Sequence, residues 1–292
     1  MGITKKPMAQ KVIPPEKMSA ADAVVKGAHE DLAGALAKNN ELVKSTYENE
    51  KGRNNHQLLH MLAGDVVSPE ESLSVLLKAG ANINTPDHLP ECGMTLLNLC
   101  AAKNLKELAE KVIASGADLE VEGCESAVLS ALDNGNTEMA RFLIERGAAV
   151  DLYAAAGTGQ IDALAEFFDN SYNLRLSEDD IVEFGTRRLT VALVKPYMIA
   201  CKNGQLEAVF FLMKRGADIN LFVLDNEDED SLEASGLHWA AKYGHYELVK
   251  FLINYGAKIH SKDTRFQKTP AQWAEEAGHE QIHKYIAYLE KV

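Results

Sequence analysis

The chain has 292 residues and a net charge of −13 from 43 acidic and 30 basic side chains, a balance that makes a nucleic-acid backbone or an anionic membrane surface an unfavourable general partner. No apolar run approaches the ~20 residues of a membrane-spanning helix, and the first residues lack the apolar core of a signal peptide, so a cytoplasmic protein is expected. The four cysteines, Cys92, Cys100, Cys124 and Cys201, form no C-x-x-C pair and are too few to staple a chain of this length, which fits a reducing compartment.

Residues 1–17 carry Lys5, Lys6, Lys11 and Lys17 against Glu16, include Pro7, Pro14 and Pro15, and read as a disordered, mildly basic tail. Residues 18–40 supply a first helix pair, with Ala20, Ala23 and Val24, a break at Gly27, then Leu32, Ala35 and Leu36. Its close falls at Asn39-Asn40, where asparagine is expected in the left-handed conformation usually given to glycine. This pair is polar enough to serve as an N-terminal cap. Units then follow over 41–260, each ending in a segment such as Lys78-Ala79-Gly80-Ala81 or Lys214-Arg215-Gly216-Ala217. The closing glycines Gly80, Gly116, Gly147, Gly216 and Gly256 stand 36, 31, 69 and 40 residues apart.

The gap of 69 spans two periods and hides a unit: Leu152 to Gln160 matches a first helix and turn, and Ile161, Leu164, Phe167 and Phe168 match a second helix. It follows Gly147 too closely to leave room for a hairpin finger, and Ser171 stands where its closing glycine would be. An insertion at 173–193 comes next, in which Ser177-Glu178-Asp179-Asp180 resembles the capped start of a short helix. A second insertion at 221–234 contains the acidic run Asp225 to Asp230, a solvated loop or a contact for a basic partner. The segment 261–292 carries Glu280, Gln281, Lys284 and Glu290 on its last helix and reads as a C-terminal cap.

The unit that shows the pattern most fully runs from Ser235 to Ala257, SGLHWAAKYGHYELVKFLINYGA. Leu237, Ala240 and Ala241 recur at helical spacing, Gly244-His245 breaks the pattern, Leu248, Val249, Phe251, Leu252 and Ile253 restart it, and Gly256 stops it. This segment resembles the ankyrin repeat, whose T-P-L-H-x-A signature is degenerate here as Ser235-Gly236-Leu237-His238-Trp239-Ala240. The resemblance covers residues 18–292 and implies a mainly α, ankyrin-repeat solenoid of about eight helix pairs with short β-hairpin or loop fingers. It also implies that His60 and His238 tie one turn to the next. Asn84 and Asn220 resemble the family's asparagine-hydroxylation pattern, with Leu76 and Leu212 eight positions earlier.

Chemistry-bearing motifs are few. His279-Glu280-Gln281-Ile282-His283 is a literal H-E-x-x-H, which within a helix would set two imidazoles on one face to hold zinc for a hydrolase. Gly278-His279 aligns with the turn Gly244-His245, however, so His279 begins a helix instead of lying inside one. Gly157-Thr158-Gly159 lacks a preceding strand and a third glycine, and reads as an inter-helix turn and not a dinucleotide loop. Cys92 and Cys124 precede neighbouring unit openings and could approach each other. No cofactor, metal site or catalytic residue is expected.

The expected function is recognition of a protein partner by a monomer, as an adaptor, an immunity protein or a host-directed effector, with a zinc-dependent hydrolase as the rival. The resemblance implies that the two residues before each turn glycine face a concave groove. These stripe positions hold Lys26, Lys103, Lys202 and Lys242 against Asp65, Asp133 and Glu276, about +1 within the net −13. The candidate partner-binding residues are Lys103, Asp133, Asn134, Lys202, Asn203, Trp239, Lys242 and Tyr243, with Asp225, Glu227 and Asp228 of the acidic run. Tyr243 is the expected anchor, and the lysines are expected to steer an acidic segment.

Overall fold

A computed structural model describes residues 15–45, 47–48, 54–87, 93–169, 174–175, 193–220, 223–224 and 233–291. Ser171, the helix expected at Ser177–Asp180, most of both insertions, the acidic residues Asp225, Glu227 and Asp228, and Cys92 lie outside the described residues.

Eight helix pairs occur among the described residues. They are α1 (Pro15–Lys26) with α2 (His29–Lys38), α3 (Leu58–Met61) with α4 (Pro69–Lys78), and α5 (Leu96–Ala102) with α6 (Lys106–Ala114). Then come α7 (Ala127–Asp133) with α8 (Thr137–Glu145), and α9 (Leu152–Thr158) with α10 (Ile161–Glu166). The last three are α11 (Val194–Lys202) with α12 (Leu206–Met213), α13 (Gly236–Lys242) with α14 (Tyr246–Asn254), and α15 (Pro270–Glu276) with α16 (Glu280–Leu289). Two small antiparallel ribbons accompany them, β1 (Tyr47–Glu48) with β2 (Asn54–His56) and β3 (Val223–Leu224) with β4 (Glu233–Ala234). The architecture is the mainly α solenoid expected, and the pair hidden between Gly147 and Gly216 is present as α9 and α10. Helix α1 begins at Pro15, within the segment read as a tail.

The chain divides into two compact units, 1–100 with 105–125, and 101–104 with 126–292. In the first, Leu58, Leu59, Leu73, Leu76, Leu96 and Leu97 are buried, and Leu108 and Val112 of α6 join them. In the second, one core runs from Ala155 and Leu164 through Tyr197, Val209, Trp239 and Leu252 to Trp273 and Ile286. The closing glycines Gly80, Gly116, Gly147, Gly216 and Gly256 have φ between 89° and 103°, where a side chain strains the backbone. Asn39 departs from expectation. It is extended, with φ −146° and ψ 93°, because its side chain accepts the Glu41 N–H at 3.2 Å and so caps a 3₁₀ turn over Asn40–Lys44. An N-cap needs extended backbone, not the left-handed form.

Successive pairs are joined by one recurrent device. The side chain at the third position of a first helix accepts its own N-cap N–H and donates to a backbone carbonyl of the next finger. His60 accepts from Gln57 N and donates to Thr85 O, at 3.0 and 2.9 Å. His238 accepts from Ser235 N at 3.2 Å and donates to Lys268 O at 3.1 Å. Asn98 fills the role with Thr95 N at 3.1 Å and Glu125 O at 2.7 Å. The accepted N–H fixes the tautomer, with the proton on Nε2 of each imidazole. Asn84 and Asn220 bridge fingers likewise, Asn84 receiving Asp118 N at 2.9 Å and Asn220 receiving Lys258 N at 2.9 Å.

Two outcomes follow from this architecture. Burial pushes the fully enclosed His238 down to about 4 from its ordinary 6.5, so between those values the unfolded chain binds the proton more readily than the folded one. Stability is therefore complete above about pH 6.5 and falls as pH drops toward 4, with about 2 kcal/mol lost at pH 5. His238→Gln, which reproduces the amide that Gln272 supplies in the next pair, should flatten this slope when unfolding is followed by tryptophan fluorescence at pH 7.5 and 5. An equally steep loss in the variant would refute the assignment to His238. At Gly216, φ is 101° and an added Cβ would meet no atom within 4 Å, so Gly216→Val is strained through its backbone alone. It should cost about 1–2 kcal/mol and loosen α11 to α14 before α15 and α16 in hydrogen exchange. A uniform loss of protection would contradict that locality.

Candidate groove on the first helices of the second unit

The stripe residues of the second unit sit where short first helices end. Asp133 is the last residue of α7, Lys202 of α11 and Lys242 of α13, so each backbone carbonyl there lacks a helical partner. The residue after the following turn glycine supplies one from the next pair. His245 donates to Lys202 O at 2.8 Å, His279 to Lys242 O at 2.9 Å, and Asn136 to Ala102 O at 2.8 Å. The stripe is thus clamped from beneath.

Between α7 and α11 stands α9, which ends in Gly157-Thr158. A Cβ at Gly157 would fall 2.6 Å from Ile199 and 2.7 Å from Leu132. Across this gap the pairs on either side meet directly. Asn203 donates to Leu132 O at 2.8 Å and accepts from Thr137 Oγ1 at 2.8 Å. Lys202 reaches the Asp133 carboxylate at 3.4 Å and its carbonyl at 3.3 Å, while its ammonium lies 4.4 Å from the centre of the Trp239 ring. With 6% exposure Lys202 is no steering charge, and Asn203 is buried with it. The expectation that both line an open groove is corrected: a residue too small to fill the stripe at Gly157 lets them turn inward.

On this foundation sits an aromatic cluster. Trp239 meets Trp273 edge to face at 5.0 Å and 85°, and stacks on Tyr243 at 6.3 Å and 23°. Tyr243 in turn stacks on His245 at 6.4 Å and covers the Gly135 turn, where an added Cβ would come within 2.5 Å of its ring. Trp239 is buried and packs between first helices, so its indole lies beneath the surface and Tyr243 is half-buried above it. Lys242 is exposed, its ammonium 4.9 Å from Trp239, 5.5 Å from Tyr243 and 5.6 Å from Trp273. Asp133 is half-buried and Asn134 and Lys103 are exposed. Lys268 pairs with Glu276 at 2.5 Å. The sequence reading missed Lys268, which lies in a finger and outside the stripe.

Among the described residues the H-E-x-x-H motif does not assemble as a zinc site. His279 is the N-cap of α16 and donates a hydrogen bond from Nε2 to the Lys242 carbonyl, and His283 donates from Nδ1 to Ala271 O at 3.1 Å. Zinc would have to displace both from structural hydrogen bonds. Among the described residues no three His, Cys, Asp or Glu side chains converge as metal ligands. Burial pushes the Cys201 thiol up to about 12, so it is no nucleophile at neutral pH. Burial likewise lowers His245, against its bond to the Lys202 carbonyl, and keeps the groove's clamp neutral.

Comparison with known proteins bears on the same helices. Residues 197–291 match the family described as ankyrin repeats (3 copies). The chain is 26% identical over 212 residues, 70% of its length, to the Caenorhabditis elegans ankyrin repeat and KH domain-containing protein mask-1. Two yeast relatives are named palmitoyltransferase AKR1, from Lachancea kluyveri, 26% identical over 38% of the chain, and from Kluyveromyces lactis, 28% identical over 30%. The chain spans only 7%, 14% and 11% of these relatives. The matched residues form the α11 to α16 stack in which turn imidazoles bridge one pair to the next, so residues 197–291 are a run of ankyrin repeats.

Proposed function

We propose that the first-helix face of the second unit binds a protein partner through a segment bearing acidic residues, and that the chain works as a recognition module and not as an enzyme. The observation that carries this reading is the exposed Lys242 ammonium over Trp239, Tyr243 and Trp273. A cation on a platform of packed rings loses little side-chain freedom when it meets a carboxylate, and aromatic anchors contribute most of the energy in such contacts. Lys103 extends the positive charge, while Asp133 and Asn134 offer acceptors along the same stripe. Lys202 contributes indirectly, by holding the Trp239 ring. The acidic residues Asp225, Glu227 and Asp228 are assigned a role beside the groove, as a contact for basic groups of the same partner.

The test is affinity of a captured partner for the full chain and for two variants. Lys242→Glu combined with Tyr243→Ala should weaken binding by about 2 kcal/mol or more, the scale of hot-spot loss. Lys250→Glu, on the outer helix α14, should leave it unchanged. Both variants must keep the wild-type melting profile within about 1 kcal/mol for the comparison to count. Equal losses from the two faces, or no loss from the groove pair, would place the partner elsewhere.

A further inference from the structure

The second helices of this unit hold a different surface. Six residues after each turn glycine of the second unit stands one outward position, filled by Arg141, Ala165, Phe210, Lys250 and Lys284 in successive pairs. Where the residue is cationic it pairs with an acid one helical turn earlier: Arg141 with Glu138 at 2.7 Å, Lys250 with Glu247 at 3.1 Å and Lys284 with Glu280 at 2.7 Å. On α12 the acid is kept as Glu207 while the cation is replaced by Phe210. The ring stands edge-on to Phe251 at 6.0 Å and to Tyr255 at 5.9 Å, and Phe251 lies against Tyr255 at 4.4 Å. Together with Phe211 they line an open groove of about 380 Å³, whose lining also includes Glu207 from the first turn of α12 and Lys214 from its C-cap. Tyr255 remains 50% exposed and Phe210 is only half-buried.

An apolar ring at a position that sister pairs fill with a salt-bridged charge gives up that pair and wets an aromatic surface, a combination that marks contact surfaces. We propose that this groove docks a short helical segment of a partner protein, carrying one large apolar side chain with a carboxylate within one helical turn of it. The apolar side chain enters among Phe210, Phe251 and Tyr255. The carboxylate meets Lys214, whose ammonium lies 5.1 Å from the Phe210 ring centre, and the Arg215 guanidinium on the Phe211 ring at 3.2 Å adds positive charge behind it. Glu207, in the first turn of α12, repels an acid there and so orients the segment. The volume lies at the small end of ligand pockets, suited to a side chain or two and not to a whole domain. A second copy of this chain is disfavoured by its charge of −13.

The probe is a phage-displayed library of random dodecapeptides, panned against the full chain and followed by fluorescence anisotropy on the retained peptides. Phe210→Lys restores the cation of the sister pairs beside Glu207 and is expected to melt no earlier than wild type. Lys214→Glu leaves the aromatic groove intact and inverts its rim. Retained peptides should share a large apolar residue with Asp or Glu within one turn. They should lose about tenfold or more in affinity for each of these variants, and none for Lys242→Glu, which separates this surface from the first-helix groove. The proposal is overturned if no peptide is retained, if binding survives Phe210→Lys, or if the shared motif lacks an acid and Lys214→Glu binds as well as wild type. It is equally overturned if sedimentation shows wild-type self-association that Phe210→Lys abolishes, since the occupant would then be a second copy.

Discussion

Helices α5, α7, α9, α13 and α15 have seven residues each, and a helix that short leaves almost every peptide group without an internal partner at one end or the other. Isolated helices of this length do not form in water. Their existence here depends on hydrogen bonds from their own capping side chains and from the adjoining pair. At the N-terminal end His60, Asn98, His238 or Gln272 takes up an N-cap N–H, and the first three donate a hydrogen bond to the next finger's carbonyl. At the C-terminal end Asn136, His245 and His279 close the carbonyls. The neighbour that buries the apolar side thus also satisfies polar ends, and removing it orphans the groups it had bonded on the adjoining pair.

The pair α9 and α10 shows what happens when one layer is thin. It has no finger, and its stripe residues are glycine and threonine, so the pairs before and after touch across it. Desolvating the Lys202 ammonium is unfavourable by several kcal/mol. The Asp133 carboxylate, its carbonyl and the face of Trp239 offset that cost by occupying the ammonium on separate sides. In return the Lys202 ammonium caps one side of the Trp239 ring, whose other contacts are Trp273 and Tyr243, and the Lys242 platform rests on that packed ring. The thin layer is therefore part of the groove's construction.

The sequence shows the solenoid plainly because its signals are local: apolar spacing within a helix, and a glycine wherever φ must be positive. The hidden pair was legible for the same reason, from arithmetic on closing glycines. Burial of Lys202 and Asn203 was not, since it depends on the size of Gly157, forty-five positions earlier than Lys202. Read alone, a lysine before a turn glycine is a surface charge. Asn39 misled for a related reason: the same side chain serves an αL close or an N-cap, and only the turn that follows decides which. Phe210 sits in Leu206-Glu207-Ala208-Val209-Phe210-Phe211-Leu212-Met213, where apolar residues crowd every face and periodicity gives no outward side. Its exposure is legible only when the position is compared with Arg141 and Lys250.

The degenerate signature has a physical origin of the same kind. Where a proline would precede Leu237, the chain has Gly236, and a Cβ there would lie 2.8 Å from Cys201 Sγ and 2.9 Å from the Tyr197 ring. Tyr197 occupies in its own pair the slot that Leu237 fills in the next. A ring at that slot takes up the space of the neighbour's first helical residue, and only glycine concedes it. The loss of proline at one pair is thus set by a gain of volume in the pair before it. Such compensation is to be expected of stacked repeats, because interior packing tolerates a larger residue only where an adjoining one shrinks. A consensus built from single repeats misses it, since the compensating residues lie in different units. It follows that a repeat of this chain is defined less by its own signature than by the shape its predecessor leaves, and that excising or shuffling one pair would disturb the core on both of its faces.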